Sequence, residues 1–163
     1  MLKKTFSILL IGLAFISCEK EIIGPDISAV VNFSIVNSNG NDLLNPSVIG
    51  AITEENTEVF LLKNGTKVRL YQGNLDAPKF LKIISQNGKN VFRMFFDITN
   101  ENFKDDRITQ YIRFKDGSEI EVVGEFNSNR KNNKILQQIW INGTERTKNE
   151  TISSAQSPIV IVK

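Results

Sequence analysis

Apolar and polar residues alternate with a period of two along most of the chain, the pattern of strands that bury one face. In "ISAVVNFSIV", Ile27, Ala29, Val31, Phe33 and Ile35 share one side, opposite mainly polar neighbours. "EVFLLKNGTKVRLY" alternates on both sides of Asn64-Gly65. A two-residue turn there sets Lys63 opposite Thr66, Leu61 opposite Val68 and Val59 opposite Leu70, because both central residues tolerate positive φ. Leu61, Val68, Val59 and Leu70 then make an apolar face, and the other face carries Phe60, Leu62, Lys67 and Arg69. In "KFLKIISQNGKNVFRMFF" the same turn opposes Ile83 with Phe92 and Leu81 with Met94.

"RITQYIRFKDGSEIEVVGEF" requires a longer turn. A two-residue loop would set Ile112 against Glu121, whereas a loop of Lys115, Asp116 and Gly117 sets Ile112 against Ile120 and Arg113 against Glu119. Cross-strand pairs decide sheet stability, so the second register is expected, with Gly117 in the left-handed position of a bulge. "KILQQIWIN" and "SPIVIVK" add two strands, and "NSNGNDLLNPS" (37–47) reads as a loop. Asn-Gly recurs at 39–40, 64–65, 87–88 and 142–143, and Asp-Gly at 116–117. No long helical period follows residue 26. The pattern predicts an all-β domain, an antiparallel β-sandwich of about eight or nine strands built from hairpins, with a closed lipocalin-like β-barrel as the alternative.

The N-terminus has a different pattern. Lys3 and Lys4 precede "FSILLIGLAFIS", an uncharged run from Phe6 to Ser17. That run is far shorter than the ~20 apolar residues of a membrane-spanning helix, and its flanks are those of a secretory signal. It ends at Cys18, and Glu19, Lys20 and Glu21 follow. Phe15-Ile16-Ser17-Cys18 resembles the lipobox of bacterial lipoproteins, with the small Ser17 before the cut; Phe15 and Ile16 depart from the usual Leu and small residue. The resemblance implies removal of residues 1–17 and lipidation of Cys18 on its thiol and new amine, with acyl chains such as palmitate. "CEKE" is similar to the tag behind the lipidated cysteine in surface-exposed lipoproteins of Bacteroidota. Cys18 is thus the expected lipid-attachment site, and Glu19, Lys20 and Glu21 are the export-tag candidates. The organisation implied is signal peptide 1–17, lipidated tether 18–25 and a single β domain 26–163. The address implied is the cell envelope, as an outer-membrane lipoprotein at the cell surface.

Chemistry of the same residues supports that use of the cysteine. Cys18 is the only Cys of the 163-residue chain, so no disulfide can form within it. The charged residues after it cannot continue a core. Two or three acyl chains, at about 0.8 kcal/mol per buried methylene, anchor a protein stably where one is marginal.

Charge and composition narrow the functions further. The chain has 20 Lys+Arg and 18 Asp+Glu, and removal of the signal takes two lysines and no acid, leaving equal numbers. A neutral domain lacks the electrostatic footprint of a nucleic-acid binder. "NRKNNK" (129–134), the densest basic stretch, reads as a solvated loop. Histidine is absent, so Ser-His-Asp and Cys-His catalysis and the common zinc sites are excluded. No cofactor is implied.

Three sets of residues remain as candidate chemistry. Glu119 and Glu121 project from one face of one strand, roughly 6.7 Å apart along it, near the spacing of inverting glycosidases; the plain alternative is a solvated strand face with Arg113 nearby. The loops "NSNGND" and "NENFKDD" are rich in oxygen ligands of the kind calcium takes, including Asp42, Glu101, Asp105 and Asp106, but turns and caps also explain them. Trp140, Tyr71 and Tyr111 are the residues of a potential aromatic platform, although a lone Trp in a β protein is more often core. Asn64-Gly65-Thr66 and Asn149-Glu150-Thr151 fit glycosylation sequons, which a bacterial signal makes incidental. The composite expectation is a membrane-anchored, non-catalytic binding or accessory module for a glycan, peptide or envelope protein. The alternative is an envelope hydrolase that uses carboxylates.

Overall fold

A computed structural model of the protein describes residues 27–86, 88–127, 133–146 and 158–163, which form two β-sheets packed face to face. Strands are numbered in chain order. The larger sheet runs, side by side, β1 (Ile27–Ser28), β9 (Lys134–Ile141), β8 (Glu119–Phe126), β7 (Arg107–Phe114), β3 (Thr57–Lys63) and β4 (Thr66–Arg69). A further short strand, β10 (Thr144–Arg146), also pairs with β9, on the edge that β1 occupies near Lys134. The smaller sheet runs β11 (Ile159–Val162), β2 (Val30–Val36), β6 (Lys89–Phe95) and β5 (Leu81–Gln86). Each sheet ends in two different edge strands, so the architecture is a sandwich and not a closed barrel. The signal 1–17, Cys18, Glu19, Lys20, Glu21 and the remainder of the tether lie outside the described residues, as do most of "NRKNNK" and the sequon at 149–151.

Hairpin registers follow the turn chemistry. Asn64 (φ 51°) and Gly65 (φ 78°) are both left-handed, and Leu61 pairs with Val68 as a two-residue turn requires. Ile83 opposes Phe92 and Leu81 opposes Met94. Between β7 and β8 the three-residue loop is present: Ile112 pairs with Ile120 and Arg113 with Glu119. Gly117 sits at φ 80°, and the Ser118 carbonyl accepts from the Phe114 N–H. Asn142-Gly143 closes one more tight hairpin, joining β9 to β10.

Two features differ from a sandwich made of hairpins alone. Among the described residues there are eleven strands, the additional ones being short, and β1–β9 and β2–β11 pair in parallel. The alternating run from Ile27 is also divided between sheets. Ile27–Ser28 pairs with the large sheet, whereas Val30–Val36 enters the small one. The switch occurs at Ala29, whose carbonyl accepts from the Phe96 N–H. From the switch onward the inward alternation holds, because Ala29, Val31, Phe33 and Ile35 are all buried.

The core between the sheets takes the inner faces of the longer strands, including Val59 and Leu61, Ile108 and Ile112, Ile120 and Val122, and Ile139 and Ile141 from the large sheet. Phe33, Phe92, Met94 and Leu81 meet them from the small one. Each large side chain buried in this way stabilises the fold by about 1.5–3 kcal/mol. Val68 does not join the core, contrary to the four-residue apolar face expected of the β3–β4 hairpin. It is 44% exposed because β4 is the edge of the wider sheet, beyond the cover of the narrower one.

Among the described residues, Asn32, Thr57, Asn102 and Gln110 are buried polar side chains. Gln110 on β7 is fully buried, accepts from the Asp97 N–H at 2.8 Å and donates to the Phe95 carbonyl at 3.1 Å. It thereby fixes the segment that crosses from the small sheet to the large one. Past that crossing, the 3-10 turn Asn100–Asn102 and the Asp105-Asp106 turn form a loop beside the outer side of the large sheet.

Candidate functional site

The outer face of the large sheet carries side chains that alternate with the core residues: Glu58, Phe60 and Leu62 on β3, Arg107, Thr109, Tyr111 and Arg113 on β7, and Glu119, Glu121, Val123 and Glu125 on β8. Charged groups on this face are paired across strands. Arg113 donates to Oε1 of Glu119 through Nε (2.7 Å) and Nη2 (2.6 Å), and Lys67 bonds to the other carboxylate oxygen. Arg113 also lies over the Phe60 ring at 4.1 Å, which explains why Phe60 is buried although it points away from the core.

Glu119 and Glu121 do share this face, as their spacing requires, but they have different partners. The Lys67 ammonium, aided by Arg113, holds the Glu119 carboxyl below the usual carboxylate range. Glu121 accepts from the Tyr111 hydroxyl at 2.7 Å. Burial, followed by the Glu121 carboxylate, pushes the Tyr111 phenol up to about 12. A general acid needs the opposite shift at its carboxyl, and neither glutamate lines the cleft at the other end of this face.

That cleft, of about 800 Å³, lies at the other end of the same face. Its floor is Leu62, Thr109 and Val123, one residue from each of three adjacent strands. The β3–β4 turn at Asn64-Gly65 forms one wall, and the loop carrying Glu101, Phe103, Lys104 and Asp105 forms the other. A 2.7 Å ion pair between Lys63 and Glu101 ties the two walls together. The loop is held from below by the edge-on contact of Phe103 with Phe126, 5.4 Å between ring centres, and by the Phe126 N–H donating to the Asp106 carbonyl. At the open end Arg107 bonds Oε2 of Glu125 through Nε (2.8 Å) and Nη2 (2.7 Å). The same guanidinium sits 4.5 Å from the centre of the Trp140 ring.

The aromatic residues do not form a shared platform. Trp140 is on the outer face, since Ile139 and Ile141 are the buried neighbours, so the usual core placement of a lone Trp does not hold here. Arg107 covers one of its faces, and the Lys67 ammonium lies 3.7 Å from the centre of the Tyr111 ring. Tyr71 is 60% exposed and lines a separate small recess with Pro78 and Lys79.

The oxygens of the first loop serve the backbone. Asn37 Oδ1 accepts from the N–H groups of Asn39 and Asn41, and Asp42 Oδ1 accepts from Leu44. In the second loop Glu101 pairs with Lys63, while Asp105 (φ 50°) and Asp106 (φ 63°) occupy a tight turn between Lys104 and Arg107. Among the described residues no three such side chains converge as metal ligands would.

Glu101 and Asp105 were therefore legible as a notable loop, but their role as a cleft wall was not. Lys63, Arg107, Thr109, Val123 and Glu125 carry no local signature. They come together only through the β3–β7–β8 register and the placement of the loop that leads into β7. No protein-family model, curated protein or solved structure matches the chain.

Proposed function

We propose that this chain is a lipid-anchored protein of the bacterial cell envelope, exposed at the outer-membrane surface, whose sandwich acts as a non-catalytic binding module. The address rests on the Phe15-Ile16-Ser17-Cys18 motif and the charged residues behind it. The binding role rests on one observation, the walled cleft above Leu62, Thr109 and Val123. Its ion pairs fix the walls, and the ionised state favoured for Glu119 suits a structural carboxylate better than a proton donor.

Substitution Cys18→Ala is expected to abolish labelling by radioactive palmitate and to release the protein from membranes; unchanged fractionation overturns the anchor. Protease treatment of whole cells is expected to degrade the domain, and full protection overturns surface exposure. For the cleft, a photo-crosslinking side chain at position 109 should capture an envelope component in intact cells. The same group at position 82, exposed on the small sheet, should not. Equal capture at both positions overturns the cleft as the binding site.

A further inference from the structure

We infer that the cleft takes a neutral saccharide, an assignment of ligand class that rests on the binding-module reading above. Charge is the first reason. The lining includes Lys63, Lys104 and Arg107 and, against them, Glu101, Asp105 and Glu125. These cancel, so the cleft has no formal net charge with which to draw in an ion. Lys63 and Arg107 are also already engaged with Glu101 and Glu125. A phosphate, sulfate or uronate would have to compete with those carboxylates for its cation.

Hydroxyl groups face no such competition. Both bonds from Arg107 end on Oε2 of Glu125, which leaves Oε1 as an acceptor on the same carboxylate. A guanidinium has five N–H donors, and the two directed at Glu125 do not exhaust them. A hydroxyl donates and accepts at once. Two neighbouring sugar hydroxyls can therefore span this pair, one donating to Glu125 and the other accepting from Arg107, without breaking it. The Trp140 ring beneath Arg107 holds the guanidinium in place, so little side-chain freedom is lost on binding.

The floor supplies the other half of the match. Thr109 pairs directly with Val123, and the β3–β7 register sets Leu62 beside Thr109. With strands about 4.8 Å apart, the three side chains make a patch roughly 10 Å wide. Their exposed groups are mostly methyls, to which a sugar ring can present its C–H face while its hydroxyls reach the walls. Ligand sites combine an apolar surface with a few placed polar groups in this way, and the volume falls within their usual range.

The test uses the full chain, purified in mild detergent, in calorimetric titrations. Probes are neutral oligosaccharides of glucose, mannose, galactose and xylose, an oligogalacturonate, a sulfated oligosaccharide and a mixed tetrapeptide pool. A neutral oligosaccharide is expected to bind, with a Kd that changes by less than about twofold between low and high salt, since no charge is neutralised. Thr109→Arg, which puts a long charged side chain on the floor, should weaken binding at least about tenfold, while Lys82→Ala leaves it unchanged. Glu125→Gln serves as the isosteric second variant if Thr109→Arg does not fold. Retained affinity in the cleft variants overturns the site. Binding of only charged glycans or peptides, lost in Thr109→Arg, overturns the saccharide and leaves the binding module standing. Failure of every neutral saccharide to bind also overturns the inference, and capture at position 109 then decides the broader reading separately.

Discussion

The ring of Phe96 occupies the space that any side chain at position 124 would need: a β-carbon on Gly124 would lie 2.7 Å from Phe96 Cζ and 2.8 Å from Leu136 Cδ1. Phe96 in turn meets Phe126 edge-on, 5.5 Å between centres, and Phe126 carries the Phe103 contact that seats the cleft wall. Gly124→Ala is therefore expected to destabilise the protein by about 1–3 kcal/mol, the usual cost of overpacking a filled core. Urea denaturation monitored by Trp140 fluorescence measures it, and a variant as stable as the parent would show that Phe96 moves aside freely.

Gln110→Leu keeps the size of the side chain and removes its polar atoms. The Asp97 N–H and the Phe95 carbonyl would then each lose their bond to Gln110. Each buried group left unpaired costs about 1–3 kcal/mol. The same denaturation assay should show a lower midpoint with an unchanged slope; stability at or above that of the parent would mean that other partners satisfy both groups.

Acid should weaken the outer face through Glu119. Its carboxyl titrates below the ordinary value in the fold, so its contribution is fully present above the unfolded pKa of about 4.3 and is lost as pH falls through the lower folded value. The pair with Arg113 and Lys67 is partly solvated, which limits the effect to about 1 kcal/mol. Glu119→Gln should flatten the stability curve below pH ~4.3 by that amount, and parallel acid curves would remove Glu119 from the account.

Alkali should act on Tyr111. Its phenol is raised to about 12 by burial and by Glu121. The neutral form is favoured in the fold, so this contribution is complete below the unfolded pKa of about 10 and is lost as pH rises towards 12. Absorbance titration of the parent and of Tyr111→Phe isolates this phenol, which is expected to ionise late. Glu121→Gln should bring it part of the way back, with burial keeping the remainder. Ionisation of Tyr111 near 10 would contradict the geometry.

The parts of the fold that could be read from sequence are those decided by neighbours in the chain. Asn64-Gly65 and the Lys115-Asp116-Gly117 loop fix two hairpin registers because φ preference and cross-strand pairing agree. The sheet to which a strand belongs depends on distant partners. Alternation therefore placed Val31, Phe33 and Ile35 inward but did not reveal the change of sheet at Ala29, nor the parallel β11. Local pattern also fails where the reverse face of a sheet is covered by charged side chains, as with Phe60 under Arg113 and Trp140 under Arg107. The cleft was hidden for the same reason. Its floor draws on three strands, and nothing in "RITQYIRF" shows that Thr109 lines a cleft while Tyr111 does not.

Strand β2 lies between β6 and β11, with Phe33 opposite both Phe92 and Ile159. A chain emerging N-terminus first therefore makes the middle of its small sheet long before it makes one of the two flanks. Until Ile159–Val162 arrives, one margin of β2 has no partner strand, and Ile159 and Ile161 are missing from the core. Completion of the sandwich is thus a late, long-range event, slow by the general dependence of folding rate on the distance between contacting residues. An unfinished chain carries a sticky seam, and residues 159–162 act as its zip.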